Sequence, residues 1–132
     1  MKQLCAYLCV GILMGAVACK NTQSTTPAKP AALNLELLYA RWNVAYIATP
    51  DRTTTGQEMG EPHYEFTRDG KRIKSFDSPP HSEATRYEVR NDSIFYPDNA
   101  KLPAVKIVKL SNDSLVLQSD KSDWHLYRPA SK

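Results

Sequence analysis

The sequence predicts an all-β domain: eight short strands in an up-and-down antiparallel meander that closes into a small barrel, entered through a short N-terminal helix. Three observations carry this expectation. Apolar and polar residues alternate with period two through successive short segments, the signature of half-buried strands. Asp69-Gly70, Asn91-Asp92 and Asn112-Asp113 stand between those segments as hairpin turn signals. No segment of helical period intervenes, so parallel crossovers are not expected, and a meander of this count removes its edges by closing on itself.

The elements follow in order. Residues 31–39 are Leu-rich, and Leu33, Leu37 and Leu38 fall at helical spacing. They predict a short helix or a turn of helix. Residues 41–48 alternate, with Trp42, Val44 and Tyr46 on one face. Residues 49–62 carry the breakers Pro50, Gly56, Gly60 and Pro62, and one bulky apolar residue, Met59. They predict a long polar loop, either mobile or a lid over a cavity. The segment 63–68 places Tyr64 and Phe66 inward, and 71–76 returns as a polar strand. A loop at 77–82 leads to the strand 83–90, with Tyr87 and Val89 inward. Next come 93–96, a loop at 97–103, and 104–110, whose alternation slips between Ile107 and Leu110. A β-bulge explains such a slip. The strands 114–119 and 124–128 close the chain, with Leu117 and Leu126 among the apolar positions.

The amino-terminal segment has a different composition. Lys2 precedes an apolar run from Leu4 to Ala18 that is short of the roughly 20 residues a bilayer-spanning helix needs. It fits a cleavable signal peptide at 1–18. Ala16-Val17-Ala18 obeys the small-x-small rule, and the following Cys19 resembles the lipobox of bacterial lipoproteins, although Ala16 stands where Leu is commonest. That resemblance implies a diacylglycerol on the Cys19 sulfur and usually an acyl chain, such as palmitate, on the new amine. Two or three acyl chains anchor firmly where one anchors marginally. Lys20 lacks the aspartate associated with inner-membrane retention, which points to the outer membrane of a Gram-negative envelope. The rest of 19–32 is rich in Ser, Thr, Pro and Ala and reads as a disordered tether spanning roughly 20 Å. The barrel domain is 33–132.

Composition excludes several classes. The net charge of +3 is too small to argue for nucleic acid. The three cysteines are Cys5, Cys9 and Cys19, so a chain matured at Cys19 has no disulfide framework and no Cys metal site. His63, His81 and His125 lie far apart and show no metal-ligand spacing. No nucleophile elbow and no phosphate loop occur. The expectation is a monomer that is not an enzyme and uses no cofactor and no metal. Arg68, Lys71, Arg72 and Lys74 cluster around Asp69-Gly70, either as a solvated hairpin tip or as a patch for anionic lipid or polysaccharide.

From Leu33 to Arg128 the chain resembles the small lipocalin-like lipoproteins of Gram-negative bacteria. The resemblance rests on Leu38-Tyr39-Ala40-Arg41-Trp42, on Tyr64-Glu65-Phe66-Thr67-Arg68-Asp69-Gly70, on Tyr87 to Ile94 and on Ile107 to Leu117. Ala40 replaces the glycine that lipocalins carry two residues before the first-strand tryptophan. The family implies a barrel with a cup at one end and no enzymatic activity. In such a barrel Trp42, Val44, Tyr46, Tyr64, Phe66, Tyr87, Val89, Leu117 and Leu126 are the candidate lining of an apolar pocket. The expected partners are a membrane, through lipid on Cys19, and a small apolar or amphipathic ligand. The competing expectation is an interaction lipoprotein with a packed barrel and an exposed apolar patch.

Overall fold

A computed structural model describes residues 32–130. The expected signal segment, Cys19 and the tether as far as Ala31 lie outside the described residues. Ten strands follow a three-residue 3-10 turn at Leu35–Leu37: β1 (Arg41–Ala48), β2 (Thr53–Thr55), β3 (His63–Phe66), β4 (Lys71–Asp77), β5 (Pro80–Arg86), β6 (Glu88–Arg90), β7 (Ser93–Phe95), β8 (Val105–Leu110), β9 (Ser114–Gln118) and β10 (Asp123–Tyr127). They form one antiparallel sheet in the order β5-β4-β3-β1-β10-β9-β8-β7-β6, with β2 added beside β1. Because β1 pairs with both β3 and β10, the start and end of the meander zip together. The two ends of the path, β5 and β6, are consecutive in the chain with only Tyr87 between them. The sheet is therefore an all-β, nearly closed barrel.

Ten strands replace the eight expected, for two physical reasons. The segment 83–90 is divided at Tyr87, which leaves the ladder: its N–H donates to the Gly70 carbonyl at 2.9 Å and its hydroxyl to the Thr67 carbonyl at 2.7 Å. The first part then pairs with β4 and the second with β7. The other addition, β2, comes from the supposed loop 49–62. Three consecutive threonines favour extended backbone, and they pair with β1 from Tyr46 to Ala48. Gly56 makes the return possible. A Cβ there would stand 1.9 Å from the Val44 carbonyl oxygen, and its N–H bonds the Ala45 carbonyl at 2.8 Å.

The expected N-terminal helix is also corrected. The Asn34 side chain accepts from the Glu36 N–H at 3.2 Å and starts a single 3-10 turn. The turn stops because the Leu38 carbonyl is claimed elsewhere, by the Ala40 N–H at 2.8 Å and the Trp42 indole N–H at 3.0 Å. Leu38 itself is fully buried in the barrel.

Two bulges set which side chains face inward. In β8 the register with β9 shifts between Ile107 and Lys109, where the alternation slipped, and Val108 is left 54% exposed. In β1 the register with β10 shifts between Val44 and Tyr46. Trp42 and Val44 stay inside. Tyr46, expected with them, is turned out to 37% exposure and stacks on His125, while Ile47 takes the inward position. One extra residue moves every later side chain to the other face.

Candidate functional site

The barrel interior is unevenly filled. Where the 3-10 turn meets the ends of β1 and β10, large apolar side chains are fully buried. Trp42, Leu38 and Leu115 are fully buried, and Phe66 nearly so. The Arg128 guanidinium lies 5.0 Å from the Trp42 ring centre, and its Nη2 donates to the Leu37 carbonyl at 2.8 Å. Beside the β9–β10 turn and the segment between β7 and β8, a cavity of about 210 Å³ remains. That exceeds the roughly 150 Å³ of an engineered cavity that accepts benzene, and falls below the roughly 300 Å³ at which drug-sized pockets begin.

The strands build the cavity wall by register. Tyr64 and Phe66 point inward from β3. Cross-strand partners share a face, so Lys74 opposite Tyr64 and Arg72 opposite Phe66 also point inward from β4. On β5, Glu83 opposite Lys74 reaches the rim. Tyr96, Leu102, Pro103 and Val105 complete one side. Leu117, Ser119, Ser122, Trp124 and Leu126 complete the other. Trp124 meets Tyr64 edge to face at 5.9 Å and donates its indole N–H to the Ser122 hydroxyl at 2.9 Å.

Of the candidate pocket residues, Tyr64, Phe66, Leu117 and Leu126 come together on this cavity. Trp42, Val44 and Tyr87 are buried in the packed core, Val89 is half-buried against it, and Tyr46 lies outside. The long segment 49–62 contributes nothing to the lining. Of its two expected forms, a mobile loop or a lid over a cavity, the lid is not found on this lining, and residues of the segment wall a second, polar hollow on the outer face.

Arg72 is the residue that sequence reasoning put in the wrong setting. It is not part of a solvated hairpin tip. Its guanidinium lies 4.6 Å from the Tyr96 ring centre and 5.2 Å from that of Tyr64, and its Nε is buried without a hydrogen-bond partner among the described residues. The phenols respond to the same setting. Burial pushes Tyr64 up to about 12, against the pull of the Arg72 cation. Burial raises Tyr96 as well, again opposed by Arg72. Both stay neutral hydroxyls throughout the physiological range.

The second hollow is lined by Arg41, Asn43, His63, Asp77, residues 55–57 and Glu61-Pro62. His63 is buried, with Nδ1 3.3 Å from Arg41 Nη2 and Nε2 4.0 Å from Asp77 Oδ1. Arginine can only donate, so Nδ1 accepts and the ring proton sits on Nε2, toward Asp77. His81 is exposed, and His125 is half-buried on the outer face. No group of three metal-ligating side chains is found among the described residues.

No family model matches the sequence, and no curated protein matches it. Two solved structures are similar. A lipocalin-like protein from Bacteroides uniformis superposes with a TM-score of 0.56 at 15% identity, over 70% of this chain and 98% of that one. An uncharacterized protein from Bacteroides eggerthii gives 0.55 at 13% identity, over 70% and 99%. At these identities the likeness shows the fold, and that fold is a lipocalin-like barrel.

Proposed function

We propose that this protein is a lipid-anchored envelope protein whose barrel takes up a small apolar or amphipathic molecule. The observation that carries the reading is the unfilled interior beside Trp124, next to a core of buried large apolar side chains. Protein interiors rarely leave space of this size without use. The signal segment and Cys19 support an outer-membrane anchor, with the domain held off the headgroups by its tether.

Two experiments test this. Binding of octanol is followed by the fluorescence of Trp124, which touches the cavity, whereas Trp42 is sealed away from it. A saturable change is expected, lost in Leu117→Phe, which fills the space. Native mass spectrometry of protein purified from its own envelope should show a small adduct. A bare barrel that ignores octanol refutes ligand uptake and leaves the interaction reading, in which a partner protein co-purifies. The anchor is tested separately. Cys19→Ser should abolish incorporation of labelled palmitate and release the protein from the membrane fraction.

A further inference from the structure

We propose that the cavity ligand carries a single carboxylate, and that Arg72 is the residue that receives it. The inference rests on the ligand-uptake reading and narrows it to one chemical class: a small alkanoate with its acid group at Arg72 and its tail against Phe66, Leu117 and Leu126. β4 turns Arg72 into the barrel, where the faces of Tyr64 and Tyr96 balance part of its charge. A ring face offers no lone pair, so stacking leaves the buried Nε–H without an acceptor. Arg72 makes no ion pair among the described residues, its side-chain hydrogen bond with Tyr96 opposes the rise of that phenol, and its Nε is buried and unpartnered. A buried donor without an acceptor is an exception in native proteins and calls for a specific explanation.

Arg128 sharpens the point. Its Nε is also buried and unpartnered, and it too stacks on an aromatic ring. But its Nη2 donates to the Leu37 carbonyl, and it lies off the cavity lining. Arg72 has no such backbone carbonyl and faces open space. The charge balance then limits the ligand. Arg72, Lys74 and Glu83 are the charged residues on the lining, and Lys74 and Glu83 stand opposite each other in the ladder. Two cations against one carboxylate leave one positive charge, which a monoanion neutralises and a dianion overshoots. A guanidinium fork matches a carboxylate geometrically, through two parallel N–H···O bonds. The two neutral phenols beside it add hydroxyls at the same site.

The test uses octanoate and octanol, which share a tail and differ in the head. Each is titrated into the wild-type protein at fixed ionic strength with Trp124 fluorescence as readout. Octanoate should bind about tenfold tighter, the scale of a charge-assisted pair. Arg72→Met should erase that preference while leaving octanol binding in place. The wild-type comparison stands even where the variant folds poorly. In the wild-type protein the Arg72 Nε–H resonance should shift on adding octanoate and stay still with octanol. Equal binding of the two probes, or an unmoved Nε–H signal, overturns the inference and leaves ligand uptake intact. Failure of both probes to bind removes the cavity reading, and this inference with it.

Discussion

Two arginines inside one barrel behave differently, and the contrast shows how the molecule divides its interior. Arg128 lies flat against Trp42 and is tied to the Leu37 carbonyl, so its cation covers a packed end. Arg72 lies between Tyr64 and Tyr96 with no such tie, beside a cavity. The first arginine serves stability. The second is held between two phenols, with its Nε–H left without a partner. A barrel with both has one region committed to folding and another kept available for binding.

The largest expected effect lies in the packed region. Trp42→Ala removes a fully buried ring, the hydrogen bond to the Leu38 carbonyl and the surface on which Arg128 rests. A loss of about 3–5 kcal/mol is expected, read as a fall in the urea midpoint at unchanged slope. A loss below about 1 kcal/mol would break the division between the two regions.

A matched pair of leucines on β9 sharpens it. Leu115 is fully buried away from the cavity, and Leu117, two residues on, lines it. Large-to-small substitutions cost more where the surroundings were well packed, because the void created adds to the lost transfer energy. Leu115→Ala should cost toward the upper part of the range of about 2–5 kcal/mol, and Leu117→Ala toward the lower. The same urea titrations rank them, and a reversed order contradicts the packing contrast.

Substituting the arginines themselves gives a smaller but more direct comparison. Arg128→Leu removes a hydrogen bond and a stacked cation, for a loss of about 1–3 kcal/mol. Arg72→Leu also removes a stacked cation and a buried unpaired Nε but no bond to a backbone carbonyl, so its loss should be smaller by about 1 kcal/mol. Equal losses at the two sites would mean that Arg72 is structural too.

Why the first arginine's region was easier to foresee than the second's is a matter of register. Trp42 and Leu115 sit on stretches whose alternation is unambiguous, and a large apolar side chain announces which way it points. On β4 neither face is apolar: Arg72, Lys74 and Phe76 alternate with Lys71, Ile73 and Ser75. Direction then depends on the turn before it. Asp69-Gly70 taken as a two-residue turn pairs Phe66 with Ile73, which turns Ile73 inward. The turn has three residues, with Gly70 at φ 82°, the Gly70 N–H on the Thr67 carbonyl and the Thr67 N–H on the Lys71 carbonyl. Phe66 therefore faces Arg72. A one-residue difference in loop length reverses every side chain of the strand. The bulge in β1 has the same effect on Tyr46. The bulge in β8 was legible because its flanks, Ile107 and Leu110, are both apolar and their spacing breaks the period.

The smallest expected effect is a titration, and it is specific to the cavity. Burial raises Tyr64 from the ordinary 10.0 to about 12, with Arg72 pulling the other way. A phenol raised in the fold stabilises it fully below the unfolded value. That contribution fades as pH climbs from about 10 through about 12, so the urea midpoint should decline across this interval beyond what the exposed tyrosines account for. Tyr87 is also raised to about 12, but by burial together with Tyr39 and Asp69, with no contribution from Arg72. Arg72→Met removes the cation that favours the phenolate at Tyr64 and at Tyr96, so both should titrate later still, while Tyr87 keeps its midpoint. Ring-carbon NMR signals followed against pH separate the three. Arg128→Leu should move none of them, since Arg128 lies against Trp42. A shift at Tyr87 in the Arg72 variant would mean that the two regions are electrically coupled, and the division between a packed end and an available cavity would then hold for packing alone.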